Sequence, residues 1–110
     1  MTIPNAEAAI IAEDKICDYL LNRSHRRGGS KAKFLVAMGY SPGDWRRLAD
    51  DLRAQHLTGD AANESASDYG KRYEIIAPLV GPNGRSAEIV TVWQIDIGTD
   101  APRLITLYPE

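Results

Sequence analysis

The segment Ser24-His25-Arg26-Arg27-Gly28-Gly29-Ser30-Lys31-Ala32-Lys33 gathers the groups most able to act on a phosphate ester. It sets an imidazole, His25, a few residues before a predicted helix N-terminus, where free backbone N–H groups and the helix dipole favour an anion. Arg26, Arg27, Lys31 and Lys33 add positive charge, Ser30 adds a hydroxyl, and the glycines let a bulky phosphate approach the main chain. These are the parts that metal-free cleavage of RNA needs. A general base takes the 2′-hydroxyl proton, cations stabilise the pentavalent phosphorane, and an acid protonates the leaving oxygen. The same ten residues also read as an ordinary basic surface loop whose histidine is incidental.

Late in the chain, Leu104, Thr106 and Tyr108 are expected to share one face of the last strand, where two hydroxyls can hydrogen-bond a phosphate. Arg72 and Arg85 are further cations able to point the same way. Against this, Thr106 suits a strand on propensity alone, and Tyr108 suits the rim of a core. Other chemistries find less support. Two histidines, His25 and His56, and one cysteine form no cluster with metal-ligand spacing, so no metal or other cofactor is expected. No strained G-x-S-x-G turn suggests a Ser-His-Asp arrangement. Gly28-Gly29-Ser30-Lys31 lacks the spacing of a nucleotide phosphate loop, and no strand precedes it.

The formal charge of −2 conceals an asymmetry: no acidic residue stands between Asp18 and Asp44, while Arg23, His25, Arg26, Arg27, Lys31 and Lys33 do. Such a patch on a mildly acidic protein attracts phosphate without coating the molecule in nucleic acid. At 110 residues, 44% of them hydrophobic, the chain has the size and composition of one globular domain spanning 1–110. Its apolar runs are too short to cross a membrane as a helix. The N-terminus has no basic region followed by an apolar stretch, and the lone Cys17 forms no internal disulfide. Both point to a cytoplasmic protein. Cys17 itself reads as a buried filler.

The elements that must position these groups are helices first and strands second. Ala6 to Ile11 opens a helix or forms a short strand. Lys15 to Asn22 is helical, with Ala12, Ile16, Tyr19 and Leu20 on one face. Ser30 caps a short helix, Lys31 to Met38, which Gly39 ends in the left-handed conformation. Ser41-Pro42-Gly43-Asp44 starts the clearest helix, capped by Ser41 and facing the core with Trp45, Leu48, Ala49 and Leu52; His56 follows on that face. Asp60 to Ser67 reads as a polar loop. From Gly70 the period becomes two: a strand with Tyr73, Ile75, Ala77 and Leu79 inward, a turn at Gly81-Pro82-Asn83-Gly84, a central strand Ala87 to Ile97 apolar on both faces, and a last strand Arg103 to Tyr108. The expectation is α+β, two to three N-terminal helices on a C-terminal antiparallel sheet of three or more strands. Trp45, Leu48 and Leu52 should pack on the odd or the even residues of the central strand.

Several stretches together carry a resemblance: Lys15-Ile16-Cys17-Asp18-Tyr19-Leu20-Leu21-Asn22, His25 with Gly28-Gly29-Ser30-Lys31-Ala32-Lys33-Phe34, Gly39-Tyr40, Tyr69-Gly70-Lys71-Arg72-Tyr73, Gly81-Pro82-Asn83-Gly84-Arg85, Val92-Trp93 and Pro102-Arg103-Leu104-Ile105-Thr106. On them the chain resembles a family of small bacterial domains of unknown function, found alone or at the C-termini of toxin-like proteins. Its layout is also similar to that of the barnase, EndoU, colicin and RelE superfamily of metal-independent ribonucleases. That resemblance implies His25 as general base or acid, Lys31 as transition-state cation and Thr106 as phosphate ligand, with RNA (transfer or messenger) as substrate and a small cognate antitoxin or immunity protein as partner. The chain departs from a two-histidine mechanism, since His56 ends a largely buried helix face. A non-catalytic interaction module, an immunity or accessory protein whose basic loop binds an acidic partner or phosphate, is the competing expectation. The acidic total charge speaks for it.

Overall fold

The computed structural model describes residues 2–22 and 29–110, without the side chains of Ser30 and Pro42. A 3-10 turn, Ala6–Ala8, leads to a π-helical segment, Lys15–Leu20, then helices α1 (Gly29–Ala37) and α2 (Trp45–Gln55). Four strands follow: β1 (Asn63–Ser67), β2 (Gly70–Val80), β3 (Ser86–Asp96) and β4 (Arg103–Pro109). They form one antiparallel sheet in the order β1-β2-β3-β4, an α+β arrangement with all helices ahead of the sheet. No helix among the described residues is long and apolar enough to cross a membrane.

Cross-strand partners share a face of a sheet, so the register sorts the side chains. Tyr73, Ile75 and Ala77 pair with Trp93, Thr91 and Ile89, and these in turn with Leu104, Leu107 and Pro109. That face carries the core. Ile75, Leu79, Ile89, Trp93 and Leu107 are fully buried there together with Leu48 and Leu52 of α2, Leu35 of α1, and Ile16 and Leu20 of the π-helical segment. Helix α2 therefore packs on the odd residues of β3. Val90 and Val92, on the opposite face, are buried outside that cluster, which is why β3 reads as apolar on both sides.

Several details differ from the sequence reading. Helix α1 begins at Gly29 rather than Lys31, so Ser30 lies inside it instead of capping it. Asn63–Ser67 is an edge strand rather than a loop. All five residues are exposed, so backbone pairing with Gly70–Glu74 makes it a strand without apolar alternation. The Ala6 to Ile11 stretch forms its short turn and then a single parallel bridge from Ile10 to Arg103, covering the start of the β4 edge. Residues Pro42–Asp44 form a 3-10 turn in which neither Ser41 nor Asp44 caps through its side chain, and α2 begins at Trp45, only partly buried beneath Arg46. Cys17 is partly exposed rather than buried.

Two contacts fix the helices on the sheet. Gly39 ends α1 with φ +101°, and the turn after β2 caps that helix end: Asn83 donates its side-chain N–H to the Ala37 carbonyl at 2.9 Å. A Cβ on Gly81 would lie 2.2 Å from the Met38 carbonyl oxygen, so only glycine lets the turn and helix approach this closely. At the C-terminus of α2, Gln55 brackets Val80, accepting from its N–H at 2.7 Å and donating to its carbonyl at 3.2 Å, where β1 no longer runs beside β2. His56 follows, completely buried, with Nδ1 at 3.3 Å from the Thr91 hydroxyl, which also accepts from the Trp93 indole at 2.9 Å.

Burial drives the His56 imidazole down to about 4, only partly opposed by the Ala77 backbone. A buried histidine depressed from its ordinary 6.5 binds fewer protons in the folded chain than in the unfolded one. Stability is thus full above about pH 6.5 and lost as pH falls toward about 4, by roughly 2–3 kcal/mol. Urea unfolding across this window should show that slope, and His56→Phe should remove most of it. An unchanged slope in the variant would assign the pH dependence to other groups.

Candidate functional site

The polar groups worth following converge where the helical layer meets the β4 edge. Residues Lys15–Leu20 wind as a π-helix, closed by the Leu21 N–H on the Ile16 carbonyl at 2.7 Å. Ile16 and Leu20 turn inward, leaving Tyr19 half-buried on the flank beside β4. The Tyr19 hydroxyl lies 3.0 Å from Thr106 Oγ1. Lys31, in the first turn of α1, places its Nζ 5.6 Å from the ring centroid, and Lys15 Nζ approaches the ring to 5.2 Å. Two ammonium groups thus flank one aromatic ring, a favourable arrangement for the ring quadrupole.

Burial alone would raise the Tyr19 phenol. The hydrogen bonds with Thr106 and Lys31, and the charges of Lys31 and Lys15, more than offset it, and the phenol is more acidic than an ordinary tyrosine. Tyr40 shows the opposite balance: burial and the Asp51 carboxylate, to which it donates at 2.7 Å, hold its hydroxyl well above the usual range. The Cys17 thiol is pushed up by burial and by Glu13 and Asp18, which works against a nucleophilic thiolate.

Of the residues singled out in the sequence, Lys31 and Thr106 meet at Tyr19. His25, Arg26 and Arg27 lie outside the described residues, as does the side chain of Ser30, whose backbone stands in the first turn of α1. Lys33 is exposed on the same helix. Leu104 does not share a face with Thr106 and Tyr108. It pairs with Trp93 on the core side, whereas Thr106 pairs with Val92 and Tyr108 with Val90 on the other. The cause is a bulge in β4 opposite Val92 and Trp93. Arg72 sits on β2, donating to Gln94 at 2.9 Å in a row that continues through Asp96 to Arg103. Arg85 follows the turn at the other end of the hairpin, seven residues or about 23 Å along the strand from the row of Thr106, and is not brought to the cluster.

Tyr19 packs its ring partly against the core, as the helical stripe implies, but the contact of its hydroxyl with Thr106 is not signalled by that stripe. A lysine at i−4, Lys15, on the same helical flank was the available signal. Elsewhere, a cleft of about 450 Å³ lies between Thr2, Pro4 and the β1–β2 pair, at the sheet edge opposite β4. Lys71, the one cation among its described lining residues, pairs with Glu64 at 3.6 Å. Among the described residues no three His, Cys, Asp or Glu side chains lie together in a way that could hold a metal ion.

The chain belongs to the family described as "Domain of unknown function (DUF6883)", which it matches over residues 2–110. No curated protein sequence matches it. Among solved structures, it is similar to a chain of a "Contact-dependent growth inhibition toxin - immunity protein complex from Klebsiella pneumoniae 342". The TM-score is 0.75 at 17% identity, and 96% of each chain is covered. At that identity the likeness is one of fold.

The acidified phenol is measurable without any substrate. In an alkaline titration followed by tyrosinate absorbance, one of the five tyrosines should ionise below the usual range, and that step should vanish in Tyr19→Phe. Lys31→Ala and Thr106→Val should each move it upward, since each removes a group that favours the phenolate. A step unaffected by either substitution would contradict the geometry.

Proposed function

We propose that this member of the DUF6883 family is a toxin-like ribonuclease that cleaves RNA by attack of the 2′-hydroxyl on the adjacent phosphate, without a metal ion. The observation that carries the reading is the convergence of Lys31 and Thr106, from elements far apart in sequence, on one half-buried hydroxyl at the first turn of α1. A phosphate there meets an ammonium group, a hydroxyl and the positive end of a helix whose first turn carries no acid. The acid-free stretch from residue 19 to residue 43 supplies the surrounding positive field. The fold shared with a chain of a toxin–immunity complex supports the toxin-like part of the reading and a protein partner of the immunity type.

In this reading the 2′-oxygen attacks phosphorus, and its proton passes to a base, the role assigned to His25. Lys31 and Thr106 hold the non-bridging oxygens as negative charge builds on the phosphorane. The P–O5′ bond then breaks and the departing 5′-oxygen takes a proton from water, leaving a 2′,3′-cyclic phosphate and a 5′-hydroxyl. Preorganised donors aimed at developing charge are worth about 10²–10³ in rate each.

The purified chain should therefore cleave total cellular RNA in the presence of a chelator and leave 2′,3′-cyclic phosphate ends. His25→Ala and Lys31→Ala should each lower the rate about 100-fold or more. Lys31→Ala should leave the melting temperature nearly unchanged, because Lys31 is partly exposed and outside the core. Intact RNA, or cleavage lost with the chelator and restored by a divalent ion, would contradict the proposal. Tight binding of RNA or an acidic protein without turnover would favour the interaction module.

A further inference from the structure

We infer that a hollow on the face of the sheet away from the core, lined by Ser65, Ser67, Tyr69, Arg72 and Gln94, is a subsite for one nucleotide of single-stranded RNA. The choice of RNA rests on the ribonuclease reading above, and the subsite says where the strand runs once it leaves Thr106.

The strand register assembles the hollow. Ser65, Arg72, Gln94 and Arg103 form one row across all four strands, on the face opposite Tyr73 and Trp93. In the next row Ser67 and Asp96 flank Gly70, which brings no side chain over the hollow of about 330 Å³. A Cβ on Gly70 would run into the Ile95 carbonyl oxygen, so a larger residue does not fit there.

Hydrogen bonds fix the row, and charge sets their direction. Arg72 donates to Gln94 Oε1 at 2.9 Å, the Gln94 amide nitrogen donates to Asp96 at 2.6 Å, and Arg103 donates to the same carboxylate at 2.7 Å. A guanidinium has no acceptor and a carboxylate no donor, so turning the amide over would break both of its bonds. Arg103 and Gln94 hold the Asp96 carboxyl below its usual range, so it stays ionised. Asp96 and Arg103 therefore neutralise each other. Arg72 keeps its charge: it is exposed, uses one of its five N–H donors on Gln94, and pairs with no carboxylate among the described residues.

Tyr69 supplies an aromatic face. Its N–H donates to Ser67 Oγ at 3.2 Å and its carbonyl accepts from Ile97 at 3.0 Å, yet the residue is 77% exposed. A ring on a pinned backbone, beside a held guanidinium and two hydroxyls, has the parts that bind a nucleotide of an unpaired strand. The base stacks on the ring, and the cation and donors take the phosphate. Tyrosine and arginine also anchor protein contacts. Here the hollow has no apolar lining beyond the Tyr69 ring, and its unpaired charge and hydroxyls favour the nucleotide.

Thr106 stands on the same face, one row along and two strands across from Arg72, about 12 Å away. Val92 and Gln94, directly between them, are uncharged, so an extended RNA backbone can run from one to the other without meeting a carboxylate.

The test is binding of a fluorescein-labelled single-stranded 2′-O-methyl RNA, which lacks the attacking hydroxyl and so is held without being cut. Anisotropy is followed against salt concentration. Wild type should bind. Arg72→Ala should weaken binding about tenfold and lower the slope of log Kd against log salt by about 0.7, the share of one phosphate contact. Tyr69→Ala should also weaken it about tenfold, whereas Tyr69→Phe, which keeps the stacking face, should bind as wild type does. Arg85→Ala, at the far end of the hairpin, should change nothing. On cleavable RNA, Arg72→Ala and Tyr69→Ala should raise KM with kcat nearly unchanged, since the contact is alike in ground and transition states. Neither side chain belongs to the core, so both variants should keep the wild-type melting temperature. Arg72→Ala and Tyr69→Ala chains that bind the oligonucleotide like wild type overturn the inference and leave the ribonuclease reading standing. So does a loss in kcat rather than KM. The expected losses in a chain that leaves RNA uncut would uphold the subsite and overturn the ribonuclease reading alone. A wild-type chain that does not bind the oligonucleotide overturns the inference, and the reading with it if RNA is also left uncut.

Discussion

One extra residue in β4 governs where the whole strand points. Opposite Val92 and Trp93 the register slips, so that Trp93 faces Leu104 while Val92 faces Thr106, with Ile105 between them. Up to Leu104 the even residues face the core; beyond the bulge Leu107 does, fully buried against Thr91. Without the slip, Thr106 would pair with Thr91 and bury its hydroxyl among Trp93, Ile89 and Leu104, while Leu107 would be turned to the opposite face. Because a one-residue shift exchanges the two faces of a strand, the bulge both completes the core with Leu107 and releases Thr106 to the Tyr19 phenol. A buried leucine is worth on the order of 2 kcal/mol, so the core itself enforces the geometry of the polar site.

The helical layer meets that strand at a fixed distance because it is fastened at points remote from it. Asn83 and Gly81 seat the C-terminal end of α1, so its first turn, and Lys31 with it, is aimed at β4 from the far end of a nine-residue lever. Gln55 and the buried His56 seat α2 on β2 and β3. The Arg53 guanidinium donates to the Ala9 carbonyl at 2.9 Å and ties α2 to the N-terminal segment, whose Ile10 in turn pairs with the start of β4. Exposed ion pairs such as Lys71 with Glu64 add little to this by comparison.

What was legible in the sequence follows from which forces leave a periodic trace. Burial does: the alternation of Tyr73, Ile75 and Leu79 and the stripe of Leu48, Ala49 and Leu52 correspond to core faces. Backbone pairing and register do not. The edge strand Asn63–Ser67 carries no apolar residue except Ala66, and Ile105, Thr106 and Leu107 look like any alternating strand until the bulge shifts their phase. Lys31 and Thr106 could be nominated by residue type, but Tyr19 could not. Its apolar ring satisfies a core-facing pattern, while its hydroxyl meets Thr106 at the edge. A tyrosine belongs to both environments, and only the tertiary structure says which end matters.

If Lys31, Tyr19 and Thr106 act on one phosphate as a unit, removing any one should spoil most of what the others contribute. The direct measurement is a double-mutant cycle of Lys31→Ala and Tyr19→Phe on the rate of RNA cleavage. The account predicts strong non-additivity, with the double variant little slower than the worse single one. Losses that simply multiply would show the two residues acting independently and would contradict it.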